Sequence, residues 1–320
     1  MTAWTKAAGA AAIGLCAMLG TAVAEPVAYP HKVVTLITHS SPGGGSDVFL
    51  REMSKHLGKY IGATFVVENV SGGSGAKAMA RLASAPADGS VFYATTPTYV
   101  YTSLMSKPQA TYKDLEPLAN IFADSEVIYT RADGPFKTFA DLIDHAKKER
   151  GKWGAANPAS LERQAAEQLK RAAGVPNTAV VTHEGGGDMM LNVLNGTLDA
   201  GIGEIQEIRS QLEAGKIRLL ATFNPQRIPQ YPDVPTVKES GYDIALVKFR
   251  GLAGPKGLPA EVTKAWDEAI PKLLADPDYS KAYKAEVLVP NFMPHKEYVG
   301  FIADFGGKTE AFLKETGAVK

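Results

Sequence analysis

Cysteine is almost absent from this sequence of 320 residues, since Cys16 is the only one. A zinc ribbon, an iron–sulfur site and an internal disulfide framework each need more than one cysteine. The sequence therefore excludes these three devices, and a catalytic thiol would have to be Cys16.

A surplus of either charge is also absent, because 34 Lys and Arg residues balance 34 Asp and Glu residues. Proteins that bind nucleic acid or anionic membranes usually carry a broad basic surface. We therefore predict no nucleic-acid partner. The hydrophobic share of 45% and the charged share of 21% are ordinary for a globular protein, which excludes intrinsic disorder as the main state.

Catalytic and metal-binding patterns are scarce as well. The six histidines form no His-x-x-x-His or His-Glu-x-x-His pair, and no Gly-x-Ser-x-Gly elbow is present. The run Gly43-Gly44-Gly45 lacks both the Lys of a Walker A loop and the third glycine of a dinucleotide fingerprint. We expect no catalytic residue, no metal and no cofactor, and hence no enzyme.

Residues 1–24 have the composition of an export signal. Lys6 is the one charge, an apolar stretch follows it, and Ala22-x-Ala24 is the pattern that signal peptidase reads. About 18 Ala/Gly-rich residues are barely long enough to span a bilayer. Leu15 stands where a lipoprotein signal needs a small residue before Cys16. We predict cleavage after Ala24 and export to the periplasm.

Strand-like and helix-like segments alternate through most of the chain. The β-branched run 33–38 predicts a buried strand, and Phe49, Met53 and Leu57 then recur at helical spacing. This alternation continues to about residue 222 and predicts an α/β protein with a largely parallel sheet.

The composition changes sharply after residue 222. Four prolines within residues 224–235 predict a loop, and residues 244–249 then favour a strand. Pro259 suits the first position of a helix over 260–274.

Two similar glycine loops lie about 140 residues apart. Ser41-Pro42-Gly43-Gly44-Gly45-Ser46-Asp47 leads from a predicted strand into a predicted helix, and His183-Glu184-Gly185-Gly186-Gly187-Asp188 does the same. A third loop, residues 71–75, also precedes a helix. Glycine lets the backbone approach a ligand closely, and a helix N-terminus presents unpaired N–H groups with a partial positive charge. The loops therefore favour an anion site without a basic side chain.

A structural turn remains the alternative interpretation for each loop. His39 and His183 each end a strand beside a triglycine loop, so either could contact a ligand or simply bond to the backbone. Glu204 could line the same cleft or cap a solvated helix. The residues alone leave these alternatives open.

An ordered set of short motifs resembles the substrate-binding proteins of tripartite tricarboxylate transporters, also called the Bug family. The likeness covers about residues 29–316 and rests on these motifs: Pro42-Gly43-Gly44-Gly45-Ser46-Asp47, Val67-Glu68-Asn69, Ala87-Asp88-Gly89, Asn195-Gly196, Leu198-Asp199, Ala214-Gly215-Lys216-Ile217-Arg218, Pro232-Asp233-Val234-Pro235-Thr236 and Gly254-Pro255-Lys256-Gly257-Leu258-Pro259.

The resemblance implies an α/β, periplasmic-binding-protein-like fold, in which two α/β lobes with a hinge close over one small ligand in a central cleft. We expect lobe one to hold residues 25–124 and 236–320, and lobe two residues 125–235. It further implies a small organic acid as ligand, held by backbone N–H groups and hydroxyls, and delivery to the membrane permease subunits of a secondary transporter. We expect the chain to be a monomer.

The expected ligand-binding residues come from both lobes. Backbone N–H groups of the glycines and hydroxyls of the Ser and Thr residues would hold the acid, while the two aspartates would orient their loops. The set is Ser41, Gly44, Gly45, Ser46, Asp47, Thr95 and Thr96 from lobe one and Asn157, Ser160, His183, Gly186, Gly187 and Asp188 from lobe two.

The chain also departs from the family pattern. His39-Ser40, Thr182-His183 and Asn157-Pro158-Ala159-Ser160 stand where other motifs are common in the family. These changes add polarity near the expected cleft, and we expect a ligand with additional acceptors, such as a second carboxylate. The alternatives are a binding component of another importer class or of a sensory system, or a hydrolytic enzyme with His39 or His183 as general base.

Overall fold

The computed structural model describes residues 1, 29–315 and 317–319. The predicted signal peptide, apart from Met1, therefore lies outside the described residues. Eleven strands run through the described part of the chain: β1 Val33–Thr38, β2 Thr64–Asn69, β3 Val91–Thr95, β4 Leu115–Asp124, β5 Glu126–Arg131, β6 Lys152–Ala155, β7 Ala179–Thr182, β8 Ala200–Glu204, β9 Ile217–Thr222, β10 Lys248–Pro255 and β11 Val289–Met293.

Ten α-helices connect and cover these strands within the same described residues. They are α1 Gly45–Ile61, α2 Ala76–Ala83, α3 Pro97–Ser106, α4 Phe139–Lys148, α5 Leu161–Ala173, α6 Gly186–Leu194, α7 Ile205–Glu213, α8 Ala260–Leu274, α9 Pro277–Ala285 and α10 His295–Glu315. No described helix combines the length and the apolar character that crossing a membrane would require.

The strands form two separate sheets. The larger has the order β11-β4-β10-β3-β1-β2, and the smaller has the order β7-β6-β8-β5-β9. In each sheet a parallel group (β1 with β2 and β3, or β6 with β7 and β8) is extended by antiparallel strands. The prediction of largely parallel sheets is therefore wrong for β4, β5, β9, β10 and β11, which join antiparallel neighbours.

Each sheet has its own hydrophobic core, so the molecule has two lobes. Trp266 of α8 is fully buried against Phe92 and Phe65 in the lobe of the six-stranded sheet. Trp153 of β6 lies in the core of the other lobe with Leu169. Burying one large aromatic side chain stabilises a fold by roughly 1.5–3 kcal/mol, so each core can hold its own lobe together.

The chain passes from one sheet to the other with almost no linker. β4 of the larger sheet ends at Asp124, and β5 of the smaller sheet begins at Glu126. The return path differs from the expected lobe boundary at residue 236. Val237 and Ile244 pack in the core of the five-stranded lobe, and Leu246 N–H donates to the Phe223 carbonyl of that lobe. We therefore propose that the chain returns near Val247; the division into lobes otherwise stays a prediction.

The helix α1 shows how sequence places the site. Phe49, Leu50, Met53 and Leu57 recur at helical spacing and are buried against the larger sheet. Gly62 ends the helix in the left-handed conformation with φ 79°. This anchoring fixes the opposite end of α1, which begins at Gly45 and faces the other lobe.

Candidate functional site

The two triglycine loops meet in the cleft between the lobes. Gly44 and Gly185 immediately precede α1 and α6, so both helices present their N-termini at this meeting. A Cβ atom added at Gly185 would lie 2.4 Å from Ser41 Oγ of the other lobe, and one at Gly187 would lie 3.2 Å from the Pro42 carbonyl oxygen. Glycine is needed at Gly185 because the lobes approach too closely there for any side chain.

The carboxyl group of Glu207 lies between these loops. Glu207 belongs to α7 in the five-stranded lobe, and its Oε1 accepts a hydrogen bond from Gly45 N–H at 2.8 Å. On the other side, a Cβ added at Gly186 would come within 1.9 Å of Glu207 Oε2. The N-terminus of a helix favours an anion. A carboxyl group of the protein itself therefore fills the anion position of α1.

Glu207 belongs to a larger set of buried ionisable side chains, which we call the buried charge cluster. Each member is at most 8% exposed. Five acidic and two basic residues make up the cluster: Asp124, Glu126, Glu162, Glu204, Glu207, Lys248 and Arg250.

Lys248 of β10 lies among three carboxylates. Its Nζ contacts Glu162 Oε1 at 2.5 Å, Glu126 Oε1 at 3.3 Å and Glu204 Oε1. Burial alone would lower the pKa of Lys248, but these three carboxylates raise it well above its usual value. The oxygens of Glu126, Glu162 and Glu204 lie close enough to one another to hold a metal ion, and the Lys248 ammonium already contacts all three.

Arg250 lies two residues further along the same strand and is fully buried. Its guanidinium donates to Asp124 Oδ2, to Glu204 Oε1 at 3.2 Å and to Ser46 Oγ at 3.2 Å. The guanidinium thus links the end of β4, the start of α1 and the end of β8. This arrangement ties the two lobes together at the base of the cleft.

The ionisation of the cluster is uneven. Burial would raise the pKa of Glu204, but Lys248 and Arg250 beside it lower that pKa to about 2. Burial raises the pKa of Glu207 well above its usual value, and the neighbouring Glu204 carboxylate raises it further. Burial likewise raises the pKa of Glu126. Glu204 therefore carries negative charge, while Glu207 and Glu126 retain protons to higher pH than free glutamates do.

A small cavity of about 10 Å³ lies within the cleft. That volume suits about one water molecule, so the lobes are closed upon each other in this structure. The lining residues come from both lobes: His39, Ser40, Ser46, Thr96, Thr98, Ala156, Asn157, Glu162, Glu184, Gly185, Gly186, Glu204, Glu207 and Lys248.

The structure brings several predicted site residues into this cleft. Ser46, Thr96, Asn157 and Gly186 line the cavity. Ser41, Gly44, Gly45 and Gly187 belong to the meeting loops. Asp47 orients its own loop, because its carboxylate accepts from Gly43 N–H, Arg51 and Asn69.

Four predicted residues are directed elsewhere. Thr95 Oγ1 bonds to Tyr298 in the core of its lobe, and Ser160 Oγ caps α5 by accepting from Arg163 N–H. His183 contacts the Ala155 carbonyl, and Asp188 is exposed on α6. None of these four side chains is among the residues that line the cavity. Their role as ligand-binding residues stays a prediction.

His39 does line the cavity, yet it is poorly suited to act as a base. Its Nδ1 is 2.7 Å from the Tyr93 hydroxyl. Burial, aided by the nearby charge of Lys248, lowers the pKa of His39 to about 3. The ring is therefore neutral at physiological pH and a weak proton acceptor.

The sequence analysis missed most of the buried charge cluster. It considered Glu204 as a possible cleft residue but not Glu162, Glu207, Lys248 or Arg250. One signal was present, because Lys248-Phe249-Arg250 places two charges two residues apart in an otherwise apolar segment. On a strand that spacing puts both side chains on one face.

The two lobes, the near-direct crossings and the interlobe cleft define the class of two-lobe periplasmic binding proteins. The structure of periplasmic binding protein BugD superposes with a TM-score of 0.85 at 23% identity, covering 91% of this chain and 100% of that one. The adipate-bound Rpa4515 of R. palustris gives a TM-score of 0.84 at 24% identity, covering 90% and 98%.

Sequence comparison gives the family. Residues 49–318 match the tripartite tricarboxylate transporter family receptor, and the chain belongs to that family. A relative from Cupriavidus necator, the "UPF0065 protein in gbd 5'region", is 28% identical over 319 residues, covering 98% of this chain and 96% of the relative. The resemblance and the fold class expected from the sequence are confirmed.

Proposed function

We propose that this chain is an exported solute-binding protein that captures a small organic acid between its two lobes. One observation carries the proposal: the N-termini of α1 and α6 meet in the interlobe cleft behind glycine loops. Unpaired N–H groups at two helix ends can hold a carboxylate when the lobes close. Closure would exclude water and strengthen those hydrogen bonds.

The neighbouring proteins support the organic acid. Rpa4515, which has the same fold, is described with adipate, a dicarboxylate. The family is named for receptors of tripartite tricarboxylate transporters. We therefore propose that the loaded protein works in the periplasm and delivers its acid to the permease subunits of such a transporter.

The binding step is tested with the exported protein purified from bacteria that express the full chain. Thermal unfolding is measured with a panel of small organic acids, and each hit is titrated by calorimetry. A ligand at 100 times its Kd stabilises the folded state by about 2.7 kcal/mol. A saturable shift with one acid, without product formation, is expected; no shift with any acid would overturn the proposal.

Delivery needs a separate test in the cell. Uptake of the labelled acid is measured in a strain that lacks the gene and in the same strain carrying it on a plasmid. We expect uptake to be lost and then restored. Unchanged uptake in the deletion strain would contradict delivery while leaving the binding result intact.

A further inference from the structure

The buried charge cluster contains more acid than base. Asp124, Glu126, Glu162, Glu204 and Glu207 are five acidic groups, while Lys248 and Arg250 are two basic ones. Burying an uncompensated charge is costly, so such a surplus needs either bound protons or an added positive charge. The cleft is therefore organised to receive positive charge rather than further negative charge.

The two basic side chains are already committed to the cluster. Lys248 contacts three carboxylates, and Arg250 bonds to Asp124 and Glu204. Neither is free to pair with the carboxylate of a ligand unless an internal ion pair is broken. Glu207 fills the anion position of α1 as well. Of the two helix N-termini in the cleft, α6 is the one left for a ligand carboxylate.

Buried oxygen atoms at the cavity lack hydrogen-bond partners among the described residues. They are Thr96 Oγ1, Asn157 Oδ1, Glu162 Oε2 and Glu204 Oε2, and all four residues line the cavity and are at most 6% exposed. Carboxylate and amide oxygens only accept hydrogen bonds, so they require donors. The sequence analysis expects extra acceptors on the ligand; these orphan oxygens favour extra donors instead.

We propose that the organic acid bound in this cleft carries a protonated nitrogen, which binds between Glu162, Glu204 and Glu207. The ammonium supplies the positive charge and the donors that the cavity lacks. The acid's carboxylate binds at the N-terminus of α6, at Gly186 and Gly187. This inference rests on the proposed function and specifies its ligand class as zwitterionic. The lobes must part for the ligand to enter, since the cavity holds about one water.

Matched pairs of compounds test the inference by calorimetry on the exported protein. Each pair differs only in one ammonium group: succinate and aspartate, glutarate and glutamate, propionate and β-alanine. Butylamine supplies the ammonium without an acid. We expect the better-fitting amino acid to bind at least about tenfold more tightly than its amine-free partner, as a charge-assisted hydrogen bond allows.

A variant locates the effect. Glu207→Gln removes a negative charge at the cleft and keeps the size of the side chain, so the preference for the amine-bearing member should shrink toward equality. Glu149→Gln, which changes an exposed glutamate at the end of α4, is the matched control and should keep the full preference. Circular dichroism and unfolding of each variant establish that it is folded before the comparison.

The outcomes separate this inference from the proposed function. If an amine-free acid binds as tightly as its amino partner, the inference is overturned and the organic-acid receptor stands. Binding of butylamine alone supports the nitrogen site and overturns the organic acid. If no compound binds, both are overturned. A preference that survives unchanged in Glu207→Gln and Glu204→Gln also sinks the assigned position.

Discussion

At the residue scale, Arg250 is the side chain on which most of the cleft's internal links converge. Its guanidinium bonds to Asp124 and Glu204 and donates to Ser46, all within a buried environment. Removing one partner of a buried ion pair leaves the other charge uncompensated. Exposed ion pairs behave differently, because water and salt screen them.

Replacing Arg250 should therefore be severely destabilising. We expect Arg250→Met to lower the free energy of unfolding by about 3–5 kcal/mol, measured by urea denaturation. The matched control is Arg227→Met, which removes an exposed arginine paired with Glu239 and should cost about 0–1 kcal/mol. Equal effects of the two substitutions would show that Arg250 does not hold the cluster together.

Glu207 gives a pH-dependent prediction. Burial and Glu204 raise its pKa, with Lys248, Arg250 and Tyr129 as the other ionisable groups near it. The folded state then holds this proton to higher pH than the unfolded chain, whose glutamates titrate near about 4.3. The contribution to stability is full below that pH and is lost as pH rises through the folded-state pKa.

Glu207→Gln should accordingly match the wild type near pH 4 and become more stable than it as pH rises. Thermal unfolding between about pH 4 and pH 8 measures the difference, with Glu149→Gln as the control that should follow the wild-type curve. A wild-type curve that parallels that of Glu207→Gln at every pH would contradict the raised pKa.

At the element scale, the two helix N-termini and their glycine loops place the cleft. The loops meet because α1 packs on the larger sheet and α6 on the smaller one, each immediately after a strand of its own sheet. The contact at Gly185 leaves no space for a Cβ atom beside Ser41. Backbone conformation is not the reason, since Gly185 has an extended φ of 175°.

Gly185→Ala should keep each lobe folded and weaken their closure. We expect a larger radius of gyration in small-angle X-ray scattering and an apparent affinity reduced in proportion to the lost closed population. Gly300→Ala is the control, because nothing lies within 4 Å of the added Cβ on the exposed face of α10. Closure as tight in Gly185→Ala as in Gly300→Ala would refute the contact.

The sequence predicted the elements better than their partners. Strand β1, helix α8 and both glycine loops follow from local patterns, since apolar spacing and glycine act over a few residues. The buried charge cluster does not, because Glu162, Glu204 and Lys248 come from three distant segments that only the closed lobes bring together. Strand β4 was missed as well, and the direction of β10 depends on that strand as its neighbour.

At the scale of the whole molecule, the lobes are joined by buried links rather than by surface charge. Gly45 N–H donates to Glu207 across the cleft, Arg250 pairs with Glu204, and Tyr101 packs with Leu161 and Leu313. Buried pairs and apolar contacts are little affected by ionic strength. Closure should therefore resist salt.

We expect the radius of gyration of the ligand-free protein to be the same at about 0.1 M and about 1 M sodium chloride, where screening lengths fall from about 10 Å to about 3 Å. Scattering at both salt concentrations makes the comparison. An expansion at high salt would mean that exposed ion pairs, rather than the buried contacts, hold the lobes together.

The direct passage from β4 into β5 has a kinetic consequence. Only Ser125 separates the two strands, and the carboxyl groups of Asp124 and Glu126 flank it within the charge cluster. Opening the cleft must separate Arg250 from Glu204, so opening should be slow relative to diffusion. In stopped-flow mixing, the observed association rate would then rise with ligand concentration only until it reaches the opening rate, and there it would level off.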